Sequence, residues 1–302
     1  MSRKKTVIII AGPTAVGKTA VGIEVARYFQ TEIISADSRQ CYKELEIGVA
    51  RPSPEELAAV PHHFIASHSI AEKVTAATFE EYALQKATAL FEEKDVVVMV
   101  GGTGLYIKAF CEGLDDVPEV PIAIREQIIS NYKENGIEWL QKEVQEKDPK
   151  FYEVGEIQNP HRLMRALEVM LATGKSIIDF RSGVKKQRDF DVVKIALHLP
   201  KEQLHHNINT RVDKMLAQGL LEEVKTVLPF QHTTALQTVG YKEFFTYLNN
   251  EIDLPTAIEM IKKNTRQYAK RQLTWFRKDV AYQWFEPGSS APLNFLQSAI
   301  NP

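Results

Sequence analysis

Residues 12–19 read GPTAVGKT, two glycines followed by a lysine and a hydroxyl, between the apolar run TVIII and an amphipathic stretch. The pattern G-x-x-x-x-G-K-[ST] after a strand and before a helix is a phosphate cradle. Its glycines let backbone N–H groups turn toward an anion, and the helix N-terminus adds a partial positive charge. All eight residues, Gly12, Pro13, Thr14, Ala15, Val16, Gly17, Lys18 and Thr19, are therefore expected to contact a di- or triphosphate. Lys18 would supply a point charge and Thr19 a hydroxyl ligand for Mg2+. A second chemical group lies in EIISADSRQCY, where Asp37 follows the next apolar run. A carboxylate there can accept a proton from an incoming nucleophile or hold Mg2+, although a turn or helix cap explains an aspartate at such a place equally well. The run DVVVMV ends in GGTGLY and not in an acid, so the aspartate that a phosphate-loop ATPase carries after such a strand is missing.

Four β-branched runs must position these groups: Thr6 to Ala11, Glu32 to Ser35, Val96 to Val100 and Val192 to Leu199. Between the first two, Val21, Val25 and Phe29 recur at helical spacing. Strands alternating with helices predict an α/β fold, a doubly wound parallel sheet with ligands at the carboxyl ends of its strands. The alternation stops after CEGLDDVPEVP. Three helices are predicted there, over Ile122 to Glu134, Gly136 to Lys147 and Pro160 to Thr173, the last closed by Gly174. Residues 117–187 thus read as an all-helical insertion in a catalytic core formed by residues 1–116 and 188–302. A long amphipathic helix is expected from Pro255 to Lys278.

Composition narrows the function. A chain of 302 residues with 44% hydrophobic content and a formal charge of −2 is enzyme-sized and carries no global field for a polyanion, so nucleic-acid binding would need local patches. One such patch is KKNTRQYAKRQLTWFRK, residues 262–278, seven cations without an acid and with Tyr268, Trp275 and Phe276 interleaved. Others are Arg162 with Arg165, three apart on one helix, and the group Arg181, Lys185, Lys186 and Arg188. His62, His63 and His68 fit no familiar metal-ligand spacing and read as packing residues. Cys41 and Cys111 could form one bridge at most. No run approaches the ~20 apolar residues that span a membrane, and the N-terminal apolar run is too short for a signal sequence. A cytoplasmic protein is expected, and a monomer.

The motifs GPTAVGKT, DSRQCY, VGGTGLY, HRLMRALEV with TGK, QTVGYKE and YAKRQLTWFR stand in an order and spacing that resemble the tRNA dimethylallyltransferases, also called tRNA isopentenyltransferases. The resemblance covers residues 6 to about 278. It implies transfer of a dimethylallyl group from dimethylallyl diphosphate to N6 of the adenosine 3′-adjacent to the anticodon, with Mg2+ as cofactor and the anticodon stem-loop as partner. It further implies that Asp37 takes the N6 proton, that Thr19 serves catalysis through the metal, and that Arg211, in NINTRVDKM, closes over the diphosphate. The tRNA-binding set it implies is Asp37, Ser38, Arg39, Gln40, Thr103, Arg125, His161, Arg162, Leu163, Met164, Arg165, Lys270 and Arg271, with the insertion as an anticodon-arm clamp. One departure is visible, because Val49 and Arg51 in IGVARP replace an expected threonine and lysine. The residues by themselves also suit a phosphate-loop kinase of a nucleotide or metabolite, or an isopentenyltransferase acting on free adenine nucleotides. A non-catalytic RNA-binding protein with a relic loop fits less well, since Lys18, Thr19 and Asp37 are all present.

Overall fold

The computed structural model describes residues 4–300. Six strands form one all-parallel sheet in the order β3-β2-β4-β1-β5-β6. They are β1 (Thr6–Ala11), β2 (Ile33–Ala36), β3 (His62–His63), β4 (Val96–Gly101), β5 (Asp191–Leu197) and β6 (Gln283–Phe285). The central strands are apolar throughout because both faces are covered. Val7, Ile9, Val97 and Met99 enter one core, and Ile8, Ile10, Val96 and Val98 enter the other. Two strands escaped the sequence pattern: β3 and β6 are edge strands of two and three residues, too short to show a periodicity.

Register decides what the sheet can position. Ala11 of β1 pairs with Gly101 of β4, and Gly101 pairs with Ala36 of β2. The carboxyl ends of three adjacent strands are therefore level, so Gly12, Asp37 and Gly102 leave the sheet side by side. The crossover helices are α1 (Lys18–Tyr28), α2 (Pro54–Ala59), α3 (Ala76–Phe91) and α4 (Gly104–Glu112).

Gly113–Lys186 forms a compact unit of its own, and the remainder of the chain forms the other. The smaller unit holds α5 (Ile122–Lys147), α6 (Pro149–Val154) and α7 (Pro160–Thr173) around Ile128, Leu140, Val144, Phe151, Leu163 and Leu167. Its α5 is broken at Gly136, whose φ of 73° is non-helical, which is where the sequence separates two helices. Buried Asp148 accepts from Phe151 N to cap α6, and Ser176 donates to its other oxygen. The larger unit continues with α8 (Lys201–Ala217), α9 (Leu220–Val227), α10 (Tyr241–Leu248), α11 (Leu254–Phe276) and α12 (Ala291–Ile300). Among the described residues, no helix is long and apolar enough to cross a membrane.

Candidate active site

The loop of residues 12–19 needs glycine at its start. Gly12 has φ +145°, and a Cβ there would lie 2.8 Å from the Leu197 carbonyl oxygen on β5. Val16 is buried and anchors the loop in the core below, while Thr14, Lys18 and Thr19 line the cavity above. The Lys18 ammonium curls over the loop and donates to the carbonyls of Gly12 and Pro13 at 3.0 and 2.7 Å. Burial lowers its pKa to about 7, the Arg211 cation adds to the lowering, and Asp37 opposes it. Arg211 comes from α8 and donates to Thr14 Oγ1 at 3.4 Å. Burial lowers its pKa too, against the pull of Glu56 and Asp37. Lys18, Arg211 and Asp37 thus line one cavity together with Glu56, and the two cations are placed to stabilise developing anionic charge.

Asp37 is held by its own turn. Its Oδ1 accepts from Arg39 N at 2.8 Å and from Gln40 N at 3.3 Å, so the aspartate that resembles a structural turn residue is one, and it faces the cavity as well. Thr103 accepts from Ser38 N at 3.1 Å, and its own N–H donates to the Ala36 carbonyl, joining the turn to the glycine loop after β4. The Gln40 carboxamide donates to the carbonyls of Val49 and Ala50. Arg51, where a lysine was expected, is half-buried in the cavity wall and donates through Nη2 to the carbonyls of Tyr42, Lys43 and Leu45. The cavity bounded by these elements has a volume of about 750 Å3. A smaller one of about 210 Å3 shares Thr14, Asp37 and Arg211 with it and is walled by Val49, Val212, Met215 and Ile261. An anionic group on the loop and an apolar group beside it can therefore lie within reach of one carboxylate.

A family model described as IPP transferase matches residues 40–279. A tRNA dimethylallyltransferase of Christiangramia forsetii is 49% identical over 97% of this chain and 98% of its own length. The chain belongs to the IPP transferase family. Another relative, tRNA dimethylallyltransferase 1 of Bacteroides thetaiotaomicron, is 44% identical over 93% of this chain and 92% of that one. Among solved structures, a tRNA isopentenylpyrophosphate transferase from Bacillus halodurans aligns with TM-score 0.72 at 32% identity, covering 98% of this chain and 97% of that one. A eukaryotic dimethylallyltransferase described as acting on tRNA aligns with TM-score 0.77 at 26% identity over 98% and 78% of the two chains.

In this IPP transferase family member the predicted RNA contacts fall into two groups. Lys270 and Arg271 are exposed on α11, with the Arg271 guanidinium 5.8 Å from the Tyr268 ring centroid. Tyr268 lines the cavity, and burial raises its pKa to about 12. The first half of the basic run differs from expectation. Lys262 pairs with Asp213 of α8 at 2.8 Å and with Glu259 at 3.6 Å, and Arg266 donates to Asn209, so those two cations fasten helices together. Arg188 is likewise withdrawn from the predicted patch: it pairs with Glu80 and donates to the carbonyls of Ala109 and Phe110. In the smaller unit Arg125, His161 and Arg162 are exposed and Arg165 is half-exposed. Arg162 pairs with Glu156 at 2.7 Å, whereas Arg125 and Arg165 converge on one buried acid, Glu168, at 3.8 and 3.3 Å. Leu163 is a correction: it is fully buried against the unit's core, so its side chain cannot touch RNA, and Met164 is packed against the same core.

Two residues of the site were not singled out by sequence. Glu223 of α9 accepts from the N–H groups of Glu46, Ile47 and Gly48 and from the Tyr241 hydroxyl, fixing the loop that carries Val49 into the cavity wall. Gln272 of α11 bonds the phosphate loop itself. His62 also lines the cavity, and burial lowers its pKa. Among the described residues no group of three or more His, Cys, Asp and Glu could hold a metal ion. The Thr19 hydroxyl is an oxygen donor at the loop that suits Mg2+, a hard cation that keeps water and substrate phosphate as its other ligands.

Proposed function

We propose that this protein is a tRNA dimethylallyltransferase, moving a dimethylallyl group from dimethylallyl diphosphate to N6 of the adenosine 3′-adjacent to the anticodon. The observation that carries the reading is the shared cavity in which Asp37 faces Lys18 and Arg211 across the carboxyl ends of β2 and β1. The diphosphate lies on the loop, with Lys18, Arg211 and the helix N-terminus of α1 as its positive partners. The apolar tail takes the neighbouring compartment beside Val49 and Met215.

As the N6 lone pair attacks C1, the C1–O bond breaks and its electron pair leaves with pyrophosphate. The N6 proton passes to Asp37, whose Oδ1 is engaged by the turn amides while the other oxygen is available to the amine. Lys18 and Arg211 hold the charge that grows on the departing oxygen, which is why a kinase-like cradle serves a reaction at carbon. Thr19 and the diphosphate would hold Mg2+, which when bound supplies Lewis-acid neutralisation of the leaving group. The RNA is recognised through the exposed cations of both units, and its adenosine must be unstacked to reach the cavity. The protein would work in the cytoplasm as a monomer.

Incubating the protein with labelled dimethylallyl diphosphate, labelled ATP and bulk tRNA tests the assignment. The prenyl label should reach RNA. Phosphate label in a small-molecule product, or prenyl transfer to free AMP at comparable efficiency, would replace this reading by a kinase or a nucleotide-modifying enzyme.

A further inference from the structure

Gln272 lies on α11 immediately after two exposed cations, yet its own side chain is 7% exposed. Its Oε1 accepts from Thr14 N at 2.8 Å and its Nε2 donates to the Gly102 carbonyl at 2.9 Å. One carboxamide therefore ties the phosphate loop to the glycine loop after β4. The fit is close: a Cβ on Gly102 would stand 2.3 Å from Gln272 Nε2, so the glycine is what admits the amide. A buried carboxamide is costly unless both ends are satisfied, and here each end meets a backbone group in a loop that follows a strand. The residue it holds, Thr14, is the one whose hydroxyl accepts from Arg211.

We propose that Gln272 is a positioning residue for the diphosphate, setting the entry of the phosphate loop so that Thr14, Arg211 and Lys18 converge on one anion. It acts through Thr14 and Gly102 and not by touching the RNA, although its helix carries Lys270 and Arg271. The inference rests on the reading of the loop as a diphosphate cradle. It predicts that an amide at this place matters for anion affinity more than for folding. A near-isosteric apolar replacement would leave the Thr14 N–H and the Gly102 carbonyl without partners. A carboxylate would keep the acceptor for Thr14 but lose the donor to Gly102 and place negative charge beside the cradle.

The experiment titrates Mg-pyrophosphate calorimetrically into wild type, Gln272→Leu and Gln272→Glu without RNA, across pH, with thermal melts of each. Gln272→Leu should bind about tenfold more weakly or worse, the scale of orphaning one buried hydrogen-bonding group. Its KM for dimethylallyl diphosphate should rise by a similar factor, with the KM for an anticodon stem-loop unchanged. Gln272→Glu should bind weakly at neutral pH and recover relative to wild type as pH falls, because the protonated carboxyl regains an O–H donor for Gly102 and loses its charge. That recovery is a signature a purely structural role does not give. Variants that melt lower but bind pyrophosphate as wild type does, or a Gln272→Glu deficit that is flat with pH, would overturn the inference alone. Wild type that binds no pyrophosphate would overturn the cradle reading and the inference with it.

Discussion

Arg211 of α8 donates through Nη1 to Thr14 Oγ1 at 3.4 Å, joining residues 197 positions apart at the mouth of the phosphate loop. The same guanidinium adds to the depression of the Lys18 pKa to about 7, after burial. The two cations therefore act together and repel each other until an anion lies between them.

A diphosphate beside Lys18 raises the pKa of its ammonium, so binding above about pH 7 must take up a proton. Below that pH Lys18 is already charged and uptake should vanish. Above it, affinity should fall as pH rises. Calorimetry in buffers of different ionisation heat measures the proton directly, with Lys18→Met as the subtraction. Arg211→Ala should weaken diphosphate binding about ten- to hundredfold, the range for a hydrogen bond to a charged group. It should also move the onset of proton uptake upward in pH, since one cause of the lowering is removed. An unchanged onset would separate Arg211 from Lys18.

Asp37 has two roles that substitution can part. Asparagine keeps an Oδ1 acceptor for Arg39 N and Gln40 N but cannot take a proton. Asp37→Asn should therefore melt like wild type and still bind tRNA, while turnover falls about 10²- to 10⁴-fold, the range of lost general-base assistance. Turnover within threefold of wild type would remove the base from the mechanism.

The loop of residues 12–19 and the central strands were legible because each is a local pattern: a glycine spacing or a β-branched run buried on both sides. The helical insertion was legible from the loss of that pattern. Glu223 was not, because a carboxylate that gathers the amides of residues 46–48 leaves no mark within either stretch. Gln272 was hidden inside a basic run, where a polar residue reads as another solvated position. Lys262 and Arg266 failed for a related reason: absence of acids in their own segment says nothing of Asp213 and Asn209 on α8. Leu163 could have been placed correctly, since Leu163 and Leu167 recur at helical spacing on the face opposite the arginines. The resemblance supplied its name as a contact, and the periodicity argued otherwise.

Glu223→Gln gives a test of the hidden loop support. A carboxamide can satisfy some of the three amides but turns its own NH2 group toward the rest and toward Tyr241. Stability should drop by about 1–3 kcal/mol, the cost of unsatisfied buried groups. The KM for dimethylallyl diphosphate should rise, because the loop carrying Val49 shifts in the cavity wall. A melt and a steady-state titration read both, and a stability loss with unchanged KM would confine Glu223 to folding.

The proposed RNA contacts are separable by salt dependence. Arg125 and Arg165 share the buried carboxylate of Glu168, so two guanidiniums with one compensating charge present a net cation on a prearranged fork. Charge reversal at Arg125 with Arg165, or at Lys270 with Arg271, should weaken tRNA binding and flatten the slope of log K against log salt. Each lost duplex phosphate contact lowers the slope by about 0.9 and each single-stranded one by about 0.7. Glu168→Gln should weaken tRNA binding through lost orientation of the fork, with the number of cations and hence the slope largely kept. Arg188→Gln, at an inward-facing ion pair, should lower the melting temperature without altering the salt slope. Pyrophosphate affinity should be the same in all of these except where folding fails, because none of the residues borders the phosphate loop. Filter-binding titrations of an anticodon stem-loop at several salt concentrations decide the matter: original slopes in both charge-reversal pairs would remove these cations from the RNA interface.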